Sequence, residues 1–148
     1  MNSNLLPARI TLWANRVIAA VMAVLLFLLP KILNWYGALR VLSHASRNAL
    51  LIAFYCCSVF ILIALWSMDR LLCNILKGQV FVQGNIHCIR QIRLCCAAVC
   101  LICVPAAFYY LPLIFLVLIM GFLCLVVGVV CQVMKAAVAI REENDLTI

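Results

Sequence analysis

Hydrophobic positions along this chain come in long unbroken blocks, and polar ones gather in short stretches between them. The longest block, residues 94–134, contains no Asp, Glu, Lys, Arg or His. At about 1.5 Å of rise per residue a straight helix of that length would reach about 60 Å, roughly twice the hydrocarbon thickness of a bilayer. The run must therefore fold back. Its crease is the segment PAAFYYLP, where Pro105 and Pro112 disfavour a straight helix and Tyr109 and Tyr110 suit a headgroup interface. A membrane hairpin with spans at 94–111 and 112–134 is predicted.

Two further blocks precede it. Residues 17–29 form an apolar core like that of a signal peptide, but LLPKILNWYG follows in place of a small-x-small cleavage site. An uncleaved span over 13–35 is predicted, with Arg16 and Lys31 snorkelling to opposite interfaces. After a short connection, 49–68 is the second span, closed by Asp69 and Arg70, and its helical spacing runs on to about Leu76. An inner loop is assigned to 69–93. Within it KGQVFVQG breaks the helix, and Asn85 has the side chain of an N-cap for the next one. In IHCIRQIR the residues His87, Arg90 and Arg93 alternate with isoleucines, an amphipathic lead-in along the membrane surface. The tail, 135–148, begins as helix and ends polar, with Glu142, Glu143 and Asp145.

Four spans place both ends on one side. Arg9, Arg16, Arg70, Lys77, Arg90, Arg93, Lys135 and Arg141 fall there; Lys31, Arg40 and Arg47 fall opposite. The basic excess marks the cytoplasm, so both termini are expected inside. The aromatic residues agree: Trp13 and Trp66 sit near the inner interface, Trp35, Tyr36, Tyr109 and Tyr110 near the outer one. The expected fold is all-α, a single transmembrane domain over 1–148 forming a four-helix bundle.

Composition narrows the class further. The chain is 70% hydrophobic and 10% charged, too apolar for a soluble domain of 148 residues. A net charge of +7 raises the question of nucleic acid, but the 11 basic residues are spread over the ends of apolar runs. Topology and anionic headgroups account for them, and no direct nucleic-acid contact is expected. Ten cysteines include none in the outer connection at 36–48, which excludes a secreted disulfide framework.

Plain packing competes with several chemistries. Cys88, Cys95, Cys96, Cys100 and Cys103 share about 140° of one helical face. One helix cannot close four ligands around an ion, so no metal or cofactor is expected and the stripe reads as small-residue packing. A thiol oxidoreductase needs an exposed pair on the oxidising face, whereas Cys100 and Cys103 lie inside an apolar span. A proton-coupled exporter needs a buried carboxylate, and no span holds one; Asp69 is expected to pair with Arg70 at the membrane edge. Gln132 is the main long polar side chain of the last span. His44 and His87 lie near interfaces and read as solvated. The acidic tail either docks a basic partner or folds back on Arg90 and Arg93.

The closing segment KAAVAIREENDLTI resembles the signature of a bacterial membrane-protein family, domain of unknown function 2975. Gly78, Phe81, Asn85, Arg90 and Ile92 match its inner-loop pattern, and Pro30-Lys31-Ile32 is similar too. The resemblance implies a four-helix membrane protein of the bacterial cytoplasmic membrane without catalytic residues. It also implies a neighbouring helix-turn-helix regulator as a cytosolic partner. The expected role is a non-catalytic accessory or regulatory protein. Its partner contacts are expected at Arg90, Arg93, Arg141, Glu142, Glu143, Asn144 and Asp145. The alternatives are a small transporter or channel subunit, possible as a homo-oligomer, and a thiol-based redox sensor.

Overall fold

The chain folds into α1 (Leu6–Leu39), α2 (His44–Leu76), α3 (Gln83–Tyr109) and α4 (Leu113–Asp145). This is a computed structural model, and it describes residues 6–39, 44–80 and 82–145. Arg40, Phe81 and residues 146–148 lie outside the described residues. Each helix is long and apolar enough to cross a membrane. Packing follows chain order, α1 on α2, α2 on α3 and α3 on α4. The helices alternate in direction, since Asn15 meets Leu65, Cys57 meets Cys103 and Gly128 meets Arg93. The start of α1, the end of α4 and the α2–α3 turn therefore share one end of this four-helix bundle, the base.

The core is layered along the bundle axis. Leu50, Ala106 and Leu113 pack at the far end, Cys57, Val99 and Cys103 in the middle, and Ile86, Ile89, Cys131 and Val138 at the base. The outer surface is apolar, with Phe27 and Phe108 almost fully exposed and branched residues along all of α4. Such a surface is matched to hydrocarbon rather than to water. The most apolar stretch of α1 has no buried position.

Interruptions in the helices are met locally. Pro30 lies inside α1 and lacks the N–H that would bond the carbonyl of Leu26. The Tyr55 hydroxyl on α2 donates to that carbonyl at 3.4 Å. The predicted hairpin is present. α3 runs through Pro105 to Tyr109, and α4 starts at Leu113. Bonds from the amides of Leu113, Ile114 and Phe115 to the carbonyls of Tyr110, Leu111 and Pro112 bind the first turn of α4 across the break.

The base turn falls within KGQVFVQG, where the helix break is expected, and α2 runs on to Leu76 as its spacing suggests. Asp69 to Leu76 belongs to α2, and Ile86 to Arg93 belongs to α3, leaving only the residues between the two helices as turn. The lead-in is amphipathic: Ile86 and Ile89 are buried against α4, while His87, Arg90 and Arg93 are exposed. Gly78, at φ +78°, ends α2 in the left-handed conformation. The Gln79 amide reaches the Asn74 carbonyl and the Gly78 amide the Ile75 carbonyl, both at 3.0 Å, the paired bonds of a Schellman ending. Gly84, by contrast, lies within α3 with open space where a Cβ would stand.

Asn85 is not the helix cap expected of it. Val82 occupies the N-cap position without a side-chain bond, and Asn85 lies inside the first turn. It is fully buried. Its side-chain amide donates to the Gln79 and Val80 carbonyls at 2.7 and 2.8 Å, and its oxygen accepts from the Asn74 amide at 2.8 Å. One residue thus ties the end of α2, the turn and the start of α3 together.

Two glycine substitutions at this turn have different outcomes. Gly78→Ala forces an L side chain into the left-handed region and is expected to cost about 1–2 kcal/mol, whereas Gly84→Ala is neutral or slightly stabilising. Asn85→Ala strands the Asn74 amide and is expected to cost about 2–3 kcal/mol. Unfolding in mixed micelles measures all three, and equal stabilities for the Gly78 and Gly84 variants would contradict the turn geometry.

Candidate functional site

Polar function on this molecule concentrates at the base. Arg70, Lys77, Arg90, Arg93, Lys135 and Arg141 are all exposed there, carried by α2, the turn, α3 and α4. The expected pairing of Asp69 with Arg70 is not formed. Consecutive helical residues point about 100° apart, and Asp69 turns toward α1. There Arg16 meets it with Nε to Oδ1 at 3.0 Å and Nη2 to Oδ2 at 3.5 Å. One residue earlier, the Asn15 side-chain amide donates to the Leu65 carbonyl at 3.0 Å. These contacts fasten α1 to α2, while Arg70 is directed to the other side, toward α3.

The proposed partner-contact residues are only partly brought together. Arg90 and Arg93 are exposed on α3. The Arg93 side chain lies over Gly128, where a Cβ would come within 3.4 Å of Nε. The tail does not fold back, because α4 continues as helix to Asp145. Glu143 stands about 22 Å along α4 from Gly128, too far for a contact with Arg93. Arg141 and Glu143 are exposed on that extension; the side chains of Glu142, Asn144 and Asp145 lie outside the described residues. The tail is thus a helical projection separate from the Arg93 position.

The cysteine stripe is divided between two neighbours. Cys103 faces α2, with its Sγ 3.7 Å from that of Cys57. Cys100 faces α4, its thiol 3.6 Å from the Val117 carbonyl, and Cys124 of α4 reaches the Arg93 carbonyl at 3.7 Å. Among the described residues no group of three His, Cys, Asp or Glu side chains is placed to hold a metal ion. Cys57 and Cys103 also line an apolar cleft of about 280 Å³ reached by all four helices, with Leu25, Leu29, Leu116 and Met120. No carboxylate lines it. Ser58, also at its wall, spends its hydroxyl proton on the Phe54 carbonyl at 2.6 Å. The cleft offers space for apolar material and no acid or base.

A second hollow, about 400 Å³ and more polar, lies between α2 and α3 near the base. It combines Arg70, His87 and Gln91 with Trp66. Sequence reasoning missed it because Arg70 was assigned to its neighbour and His87 to solvent. The available signal was helical phase: Trp66 and Arg70, four residues apart, share a face that Asp69 does not. The Cys57–Cys103 approach had no signal, since the two lie on different helices.

Searches of curated proteins and of solved structures return no match to the chain. A protein-family model does match, over residues 32–148, a stretch that takes in the end of α1 and all of α2, α3 and α4. The resemblance carried by the tail and by Gly78, Asn85, Arg90 and Ile92 is thereby met: the chain belongs to the family described as protein of unknown function, DUF2975.

Proposed function

We propose that this is a multi-pass protein of the bacterial cytoplasmic membrane whose base and termini lie in the cytoplasm. In this reading it acts without catalysis, as an accessory or regulatory protein engaging a cytosolic partner. The observation that carries the reading is the asymmetry of exposed charge. Arg70, Lys77, Arg90, Arg93, Lys135 and Arg141 gather at the base, whereas the far end has Lys31 and Arg47 among its described residues. A basic excess on one side of a multi-pass protein belongs with the cytoplasm. The helical projection of α4, with Arg141 and Glu143 exposed, supplies a surface beyond the apolar body that a protein partner can grip. A helix-turn-helix regulator is the partner that the family resemblance suggests.

Topology has a direct test. In sealed, intact cells, Thr147→Cys is expected to add no labelling by an impermeant thiol reagent above the parent chain, and to label fully once the cells are opened. Labelling in intact cells would place the termini outside and end this reading. The partner role has its own test. Deleting residues 141–148 is expected to leave membrane insertion unchanged and to abolish co-purification of the helix-turn-helix regulator. Equal recovery of that regulator with and without the segment would remove the tail from the contact.

A further inference from the structure

We propose that the groove between α2 and α3 at the base binds the headgroup of an anionic membrane phospholipid. The groove holds about 400 Å³ and is bounded by Ile63, Trp66, Ser67 and Arg70 of α2 and by His87 and Gln91 of α3. Its charge is one-sided. Arg70 is exposed and, among the described residues, has no carboxylate partner; the adjacent Asp69 is turned about 100° away along α2 and held by Arg16. No Asp or Glu lines the groove. A guanidinium, an imidazole and a primary amide on facing helices form a donor set suited to phosphate oxygens.

The occupant is a lipid because of how the lining changes along the bundle. Arg70 marks the base end of the groove, and Ile63 lies about 10 Å farther toward the apolar middle, two turns back along α2. Trp66 stands between them and is 77% exposed, with an amphipathic ring that suits the headgroup boundary. Ser67 is buried and donates its hydroxyl proton to the Ile63 carbonyl at 3.0 Å, so it closes the wall and offers no further donor. A ligand with a phosphate at one end and a hydrocarbon chain at the other fits this gradient. A small hydrophilic anion would leave the Ile63–Trp66 portion unmatched.

Trp66 reports on the site. Trp13 and Trp35 are both exposed, so Trp13→Phe with Trp35→Phe leaves a single indole at the groove. The full chain is reconstituted into phosphatidylcholine vesicles containing an equal fraction of either brominated phosphatidylglycerol or brominated phosphatidylcholine. Bromine on the anionic lipid is expected to quench Trp66 as though it were enriched about fivefold, the factor of one cationic contact to an anionic headgroup. That preference is expected to disappear in Arg70→Gln and to persist in Arg70→Lys and in Lys135→Gln, an exposed cation on α4. It is expected to survive millimolar inorganic phosphate. Equal quenching by the two lipids would overturn the proposal, as would a preference that survives Arg70→Gln. A preference that falls as much in Lys135→Gln would mark diffuse surface attraction, and displacement by inorganic phosphate would mark a free-anion site; either result overturns it.

Discussion

A backbone polar group freed inside an apolar helix finds no water in hydrocarbon, so a donor from elsewhere in the chain is the means of repair. Pro30 removes a donor from α1, and Tyr55 of the neighbouring helix supplies one to the Leu26 carbonyl. The end of α2 leaves carbonyls at the turn, and Asn85 covers those of Gln79 and Val80 with its two amide hydrogens. Ser58 and Ser67 bond back to carbonyls in their own helix and bring no unmet hydroxyl proton to the interior. Among the described residues, the buried Asn15, Ser58, Ser67 and Asn85 thus each bond at least one backbone carbonyl. The exposed cations Arg70, Lys77 and Arg90 stand outside this scheme, at the base.

Between apolar helices in hydrocarbon, side-chain burial gives little net attraction, and close approach and polar contacts decide the pairing. The α3–α4 pair relies on close approach. Gly121 brings α4 to the Cys100 thiol, and Gly128 makes room for the stem and guanidinium of Arg93. The α1–α2 pair relies on polar contacts, with Asn15 and Arg16 near the base and Tyr55 farther up. The α2–α3 pair combines the two, through the sulfur contact of Cys57 with Cys103 and the amide pair Asn74–Asn85. The ten cysteines fit this scheme as small polarizable packing residues, and their thiols are all free.

Much of this was legible in the sequence, and the exceptions share a cause. The hairpin at 105–112 was readable because prolines and an over-long apolar run both demand a crease there. So was the end of α2, whose helical spacing runs on to Leu76, but the end of α4 was not. Hydropathy marks where hydrocarbon stops, and a helix is free to continue past it, as α2 does through Asp69 and Arg70 to Leu76 and α4 does to Asp145. Asn85 has the chemistry of a cap, yet its partners are an asparagine 11 positions back and two turn carbonyls, which no local rule anticipates. The pairing of Asp69 with Arg16 spans 53 positions, and adjacency to Arg70 was misleading because helical neighbours diverge.

That divergence gives α2 its position in the molecule. Asp69 commits one side of the helix to α1, and Arg70 presents the next side to the groove against α3. The two residues are consecutive on one helix, so the contact that docks α1 and the wall of the groove are set side by side along α2. Farther along the same helix, Asn74 anchors the turn that holds Asn85 and the start of α3. Among the described residues, the polar contacts that join α1 to α2 and α2 to α3 all converge on this one helix.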